Sequence, residues 1–517
     1  MDEDMGEAGG GGGDGERKNG LISVNNLNYV LEPDLSVAVN ATHKDQAFQV
    51  TSLTVQSAPV RSICLLNTGA DFIDMFHSFL TFDLDIVAVN KAGGTLADFP
   101  SAVTFGSGGS ALNLISRLTV ASRSGDELVR INQLNQWAAQ EMPFKYDPHW
   151  YESVGSGFYA NSAGTSVPQC LTQAQAGCVK DDGTRFSTAL PGDYANYIIP
   201  LVQPTLVATT QTTTTVRIAI PAYCLCGLFE YGRLLPSMLC SGLRIEIEWE
   251  NKDRAFRIVS GNPAIVALNE TNISRLVSYT VRNPSFRLKS IQLTDSLQRT
   301  LNEQSAVNGL EIVFPDYETT TGVIPPGGTG INIEVRKACS RALRATSRFR
   351  TVSTSPVDHL TDSFQSNLLD AGQPNAYQWQ LGSLYFPHQQ LDATSDAYAY
   401  EWNMSQFQCI QPGMVNTVWP SVNRKNFSGV SVVSDGKVPS LQTTYIGQGT
   451  DNTVCVCLER SSLFNLSGMP INNSRVLALT YRSGNTPNTV AEQTVVTMFL
   501  KYVKLARVFL LNIEVEQ

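Results

Sequence analysis

At 517 residues the chain is long for one ordinary domain and suits two or three. Apolar residues make up 42% and charged residues only 16%, a balance that affords a sizeable core and replaces charge with Thr, Ser, Asn and Gln. A net charge of −9, with a pI near 5.2, excludes a chain that coats nucleic acid by neutralising phosphates over its whole surface, though a local basic patch is compatible with it.

Residues 1–20 are Gly-rich and acidic, with Asp2, Glu3, Asp4, Glu7, Asp14 and Glu16 against Arg17 and Lys18. Such a segment cannot bury enough surface to offset its ordering entropy, so a flexible arm is expected. It also lacks the basic start and apolar centre of a signal peptide, and no apolar run reaches membrane-spanning length, so an unsecreted protein is expected. The seven N-x-S/T sequons, at Asn40, Asn269, Asn272, Asn403, Asn426, Asn465 and Asn472, then read as chance in an Asn- and Thr-rich chain.

From residue 21 strand-like runs follow one another: 48–55, 79–89, 113–122, 212–220 and 243–249. The last is a strict alternation, Leu243, Ile245, Ile247 and Trp249 against Arg244, Glu246, Glu248 and Glu250, as a strand with one wet and one dry face requires. The main helical signal is 126–142, with Leu128, Ile131, Leu134 and Trp137 on one face and Pro143 as its stop. Asp83 and Asp85 share a strand face and are read as the solvated side of an edge strand rather than as a carboxylate dyad or calcium ligands.

A second series of strands begins near 305, with runs at 310–314, 331–338, 378–386, 453–459, 475–481 and 494–516; "IPPGGTG" (324–330) is a tight connection. Many short strands at this spacing indicate β-sandwiches or barrels rather than parallel α/β units. The amphipathic runs 285–298 and 498–511 echo each other, each closing its half of the chain as a final strand. The expected division is an arm at 1–20, a first β domain at 21–300 and a second at 301–517.

Within the second series lies a basic run, 336–350, with Arg336, Lys337, Arg341, Arg344, Arg348 and Arg350 and no acid among them. Helical spacing would bring Lys337, Arg341, Arg344 and Arg348 together; on a strand Arg344, Arg348 and Arg350 would share a face. The first reading is a solvated or subunit-pairing face. The second is a contact for acidic partners: a neighbour's acidic arm, lipid headgroups or packaged genome.

Three segments carry a family resemblance. "LLPSMLCSGLRIEIEWE" (234–250) resembles a segment of the first jelly roll of double jelly-roll major capsid proteins of polinton-like viruses, virophages and related large DNA viruses. "IQLTDSLQRTLNEQ" (291–304) looks like the strand and short helix that close that roll, and "QWQLGSLYFPHQQL" (378–391) is similar to a segment of the second. The resemblance spans nearly the whole chain. It implies an all-β fold of two tandem antiparallel eight-stranded jelly-roll sandwiches with few short helices. It also implies a homotrimeric, pseudo-hexagonal capsomer tiling an icosahedral shell of a double-stranded DNA virus, with neighbouring capsomers, minor capsid or penton proteins, and an internal membrane or genome met through 336–350, as partners. Residence in the virion after assembly inside the host cell goes with it. The apolar "LLPSML" would be a plug between the rolls or under one of them, and the loops 150–215 and 415–450 surface rims. The acidic arm has the wrong sign for genome contact and is expected to dock on basic surfaces of neighbouring subunits or minor capsid proteins.

No catalytic constellation is legible, so no enzyme, no catalytic residue, no cofactor, no metal site and no sequence-specific nucleic-acid recognition are expected. The five histidines, His43, His77, His149, His359 and His388, form no H-E-x-x-H or H-x-x-x-H pair, and no G-x-S-x-G elbow or phosphate-binding loop occurs. His388 reads as a packing or hydrogen-bonding residue beside a turn. The C-x-C pairs Cys224/Cys226 and Cys455/Cys457 lie in apolar runs; on a strand both thiols of a pair face one way, as small buried hydrophobes rather than zinc ligands. An extracellular β-sandwich adhesin or carbohydrate-binding protein is the alternative, favoured by the sequons and aromatic runs. A β-rich glycan hydrolase is a third, but nothing selects its carboxylates.

Overall fold

The computed structural model describes residues 38–56, 58–89, 102–105, 110–145, 154–155, 158, 198–202, 211–231, 234–259, 276–353, 375–392, 453–458, 468–472, 474–483, 492–509 and 513–516. The arm at 1–20, the loop 415–450 and most of the loop 150–215 lie outside the described residues.

Among the described residues the first half has thirteen strands. In chain order they are β1 (Ala38–Ala47), β2 (Ser52–Val55), β3 (Val60–Leu65), β4 (Phe72–Val89), β5 (Ala102–Phe105), β6 (Ile115–Ala121) and β7 (Glu127–Asn132). There follow β8 (Ile198–Pro200), β9 (Gln211–Pro221), β10 (Leu234–Leu235), β11 (Arg244–Trp249), β12 (Phe256–Val259) and β13 (Leu276–Leu293). The second half adds β14 (Leu310–Ile324), β15 (Gly330–Val335), β16 (Cys339–Ser353), β17 (Asn375–Leu381) and β18 (Leu384–Asp392). It ends with β19 (Thr453–Cys457), β20 (Met469–Ile471), β21 (Leu477–Ser483), β22 (Glu492–Val508) and β23 (Ile513–Glu516).

Their pairing repeats. In the first half one sheet runs β1-β13-β4-β9 and the other β3-β11-β6-β7; in the second half the orders are β14-β22-β16-β19 and β15-β21-β17-β18. Taking the eight principal strands of each half in chain order, both halves read 1-8-3-6 in one sheet and 2-7-4-5 in the other. All the pairings are antiparallel. This is the jelly-roll connectivity, present twice. Short strands decorate it: β2 and β10 on the first large sheet, β20 and β23 on the second, and β12-β5-β8 as a small separate sheet. The two echoing sequence runs fall in β13 and β22, the eighth strand of each roll.

Alternation decides which face goes inward. In β11, Ile245, Ile247 and Trp249 are fully buried while Arg244, Glu246 and Glu248 stay on the outer face. Trp249 stacks edge-on against Phe82 of the opposite sheet at 5.2 Å and donates its indole N–H to Ser62 Oγ at 2.8 Å, so its one polar atom is satisfied. On the outer face Arg61, Arg117 and Arg244 pair with Glu246 and Glu248 across three strands.

The stretch preceding β11 explains the apolar plug. β10 adds to the edge of β4, and Pro236 caps a single helical turn, Ser237–Cys240, in which Leu239 and Cys240 are buried. Gly242 then takes φ +97°, with the Arg123 side chain 3.0 Å from where a Cβ would sit, and the chain turns into β11. Met238 of the plug touches Ser305. Ser305 belongs to the helix Asp295–Val307, which lies between β13 and β14 in the chain.

Several local expectations are corrected. The helix expected over 126–142 is the strand β7 followed, after Gln133 at φ +56°, by helix α1 (Leu134–Lys145). Leu128, Ile131, Leu134 and Trp137 are all buried as expected, but from two elements, because β7 pairs with β6 and tertiary pairing overrides the helical spacing. Pro143 lies inside α1 instead of ending it. The run 378–386 is not one strand but the β17–β18 hairpin, reversing at Gly382 (φ +60°) and Ser383. Asp83 and Asp85 lie on an inner strand, between β13 and β9, not on an edge strand.

Candidate functional site

The densest constellation of charged side chains in the interior is the seam where the second roll meets the first. Three strands of the second roll are buried on both faces: Phe314–Tyr317 of β14, Ala342–Arg348 of β16 and Val496–Leu500 of β22 are buried without alternation. One face of each covers the second roll's own core. The other is covered by β7 and α1 of the first roll.

The contacts across the seam are directional. Thr319 Oγ1 donates to the Asn132 carbonyl at 3.0 Å, and Thr497 Oγ1 donates to Gln133 Oε1 at 3.0 Å. Arg348, 2% exposed, donates from Nη1 to the Gln136 carbonyl at 2.8 Å. Arg344 forms an ion pair with Glu141 of α1. Trp137 of α1 stacks edge-on against Tyr317 at 5.0 Å. Lys504 Nζ reaches the Glu127 carbonyl at 3.4 Å and Asp316 Oδ2 at 3.2 Å, and Tyr502 donates its hydroxyl to the same Asp316 oxygen at 3.0 Å. Burial pushes the Asp316 carboxyl above its ordinary value, partly offset by the Lys504 charge and by hydrogen bonds from Tyr317, Lys504 and Tyr502.

Apolar contact continues the seam at its other end. Phe314, Tyr317, Phe499, Ala506 and Val508 of the second roll join the hydrophobic core of the first, while a second, smaller core lies within the second roll. The short helix Gly227–Tyr231 approaches β14 so closely that a Cβ on Gly227 would lie 2.0 Å from the Pro315 carbonyl oxygen.

Two of the six basic side chains of the run 336–350, Arg344 and Arg348, are therefore spent inside the molecule. From Cys339 onward it forms the strand β16, not a helix, and Arg344 and Arg348 share one face as a strand reading expects, while the side chain of Arg350 lies outside the described residues. That face is neither solvated nor available to lipid or genome. Arg336 pairs with Glu334 at 3.2 Å, and Lys337 pairs with Glu318 at 3.3 Å and lies over the Tyr502 ring. Arg341 is exposed. The signal that sequence reading lacked was the complementary acid, Glu141, some two hundred positions away.

Chemistry finds no other foothold among the described residues. No group of three or more His, Cys, Asp or Glu side chains is placed to hold a metal, and no helix is long and apolar enough to cross a membrane. Cys64, Cys224, Cys226, Cys240 and Cys339 are buried; burial pushes the Cys64 thiol up to about 12 and that of Cys339 up to about 11, the opposite of an activated nucleophile. Cys224 ends a tight helical turn and Cys226 lies between that turn and the helix Gly227–Tyr231, neither on a strand, whereas Cys457 ends β19 and is only half-buried. Asp83 and Asp85 are tied to Arg217 at 3.2 Å and to Thr215 and Arg282 at 2.6 and 2.9 Å, on the outer face of β4. His388 has an exposed side chain on β18, and only its carbonyl is used, accepting from Gln378.

No protein-family model matches the chain, and no curated protein matches it. Solved structures do. A chain of the Sputnik virophage covers 95% of this chain with 90% of its own at 12% identity and a TM-score of 0.53. The Faustovirus major capsid protein matches with 93% of each chain covered, 8% identity and a TM-score of 0.51. The mavirus major capsid protein matches over 99% of this chain and 97% of its own, at 10% identity and a TM-score of 0.50. The fold is the double jelly roll of viral major capsid proteins. Among the described residues the seam joins the two sandwiches of this double jelly roll.

Proposed function

We propose that this double jelly roll is a major capsid protein whose work is geometric: it trimerises into a pseudo-hexagonal capsomer, and capsomers tile an icosahedral shell enclosing a double-stranded DNA genome. The observation that carries the reading is the doubled 1-8-3-6 and 2-7-4-5 connectivity in one chain, over nearly the full length of the capsid proteins it resembles. Two equivalent rolls per chain present six in a trimer, which is how a threefold object can fill a sixfold lattice. Residence is then the virion, after assembly in the host cell. No catalytic role and no cofactor are proposed.

In this reading the first roll comprises residues 21–300, the second 301–517, and the helix Asp295–Val307 spans their junction. The arm, residues 1–20, docks on basic surfaces of neighbouring subunits or of minor capsid or penton proteins, and Arg336, Arg341 and Arg350 are the candidates of the basic run 336–350 for acidic partners. Negative-stain electron microscopy and native mass spectrometry of the purified, tag-free protein test the main proposal. Expected are threefold particles with a pseudo-hexagonal outline at three times the 56.3 kDa chain mass, about 169 kDa. A monodisperse monomer across the micromolar range counts against it and makes a glycan-binding screen the next step.

A further inference from the structure

The seam inside the chain joins unlike surfaces: the free edge of the first roll's fifth strand, β7, with the helix after it, against the outer face of the second roll's large sheet. Each roll owns both kinds of surface, because each has the same connectivity. Within one chain, only one of the two possible seams is made. The second roll's fifth strand, β18, pairs with β17 and with no other strand among the described residues, and among those residues the alternate side chains on the outer face of the first roll's β4 and β13 are half-buried or exposed.

Both leftover surfaces carry marks of a partner. On β18, Leu384 and Tyr385 are exposed, Tyr385 at 47%, and these two large side chains stand at the roll's edge beside the exposed turn residue Ser383. The outer face of the first large sheet repeats the chemistry of the face already covered. The covered face presents Arg344, Thr346 and Arg348 beside Thr497 and Phe499. The uncovered one presents Phe79 opposite Arg287, whose guanidinium lies over the ring at 5.9 Å, Thr81 opposite Ser285, and Arg282 opposite Asp83 and paired with Asp85, so cation, threonine and aromatic ring recur on it beside carboxylates. In the existing seam the donors on that face satisfy carbonyls of the β7 edge, those of Glu127 and Asn132. An edge strand such as β18 offers the same row of carbonyls.

We infer that the seam is made a second time between chains: the β18 edge of one copy, led by Leu384 and Tyr385, seats on the outer face of β4 and β13 of the next copy. The inference rests on the trimer reading and gives it an interface. Such a contact is heterologous, edge to face, so it propagates head to tail until the rotation closes. Every roll in the resulting ring then has one edge and one face covered.

Photo-crosslinking tests it in the full-length protein. With Tyr385→p-benzoylphenylalanine, irradiation should join chains, and mass spectrometry of a mixture of labelled and unlabelled copies should place the adduct in peptides of β4 or β13 of another copy. The double variant Leu384→Asp/Tyr385→Asp should raise the concentration at which the assembly dissociates by about tenfold or more. Circular dichroism and thermal unfolding of the variant at dilution should match the wild-type monomer, because both side chains are exposed there. An assembly of the trimer mass whose crosslinks fall on other strands, or that tolerates both aspartates, overturns this interface and leaves the capsomer reading standing. A wild-type chain that stays monomeric overturns both.

Discussion

Arg344 and Arg348 show what a single residue can decide here. A buried guanidinium contributes only when its partner is in place, so removing one side leaves the other dehydrated. Arg344→Met should cost about 3 kcal/mol in urea unfolding, because Glu141 loses its ion pair at the seam. Gly227 is a packing requirement of a different kind. Gly227→Ala places a methyl against the Pro315 carbonyl, and a loss of about 2 kcal/mol is expected from the forced shift. Asp71 gives a pH signature: burial pushes its carboxyl up, but hydrogen bonds from Lys44 and Ser290 and the Lys44 charge outweigh that and hold it below its ordinary value. A lowered folded-state value means the contribution is complete above the unfolded value, about 3.9, and disappears as pH falls through the folded one. The stability difference between wild type and Asp71→Asn should therefore be flat above about pH 5 and shrink below about pH 4, measured by denaturation across pH.

At the scale of elements, Asp316 and Lys504 couple β14 to β22 where both strands are buried on two faces. Lys504→Met alone leaves Asp316 buried without its cation and should destabilise by about 3–5 kcal/mol; Asp316→Leu/Lys504→Met should recover most of that loss. A double mutant no more stable than Lys504→Met would show that the pair does more than neutralise itself. The elements also show where periodicity stops being informative. Ile245, Ile247 and Trp249 were legible as an inward face because one side of β11 meets water. The β7–α1 unit was not, because Leu128, Ile131, Leu134 and Trp137 fit a helical stripe equally well, and only pairing with β6 makes the first two a strand. The hairpin at Gly382 is hidden for a related reason: its turn is only Gly382 and Ser383, closed by Leu381 against Leu384, too short a break to interrupt the apolar run in "QWQLGSLYF".

For the whole molecule, composition, spacing and quoted motifs were enough to expect an all-β chain of two sandwiches, because strand periodicity and turn chemistry act over ten residues or fewer and are written locally. The echo of 285–298 in 498–511 proved to be the same strand of two rolls, β13 and β22, a relation that local patterns can carry. What tertiary structure alone decided was the seam. Whether Arg344 and Arg348 meet solvent, a genome or their own chain depends on Glu141 and the Gln136 carbonyl, far away in sequence and adjacent only once both rolls exist. A charged side chain reads the same in a sequence whether water or a buried partner compensates it. Burial is a property of the assembled fold, and it is set by which surfaces find each other.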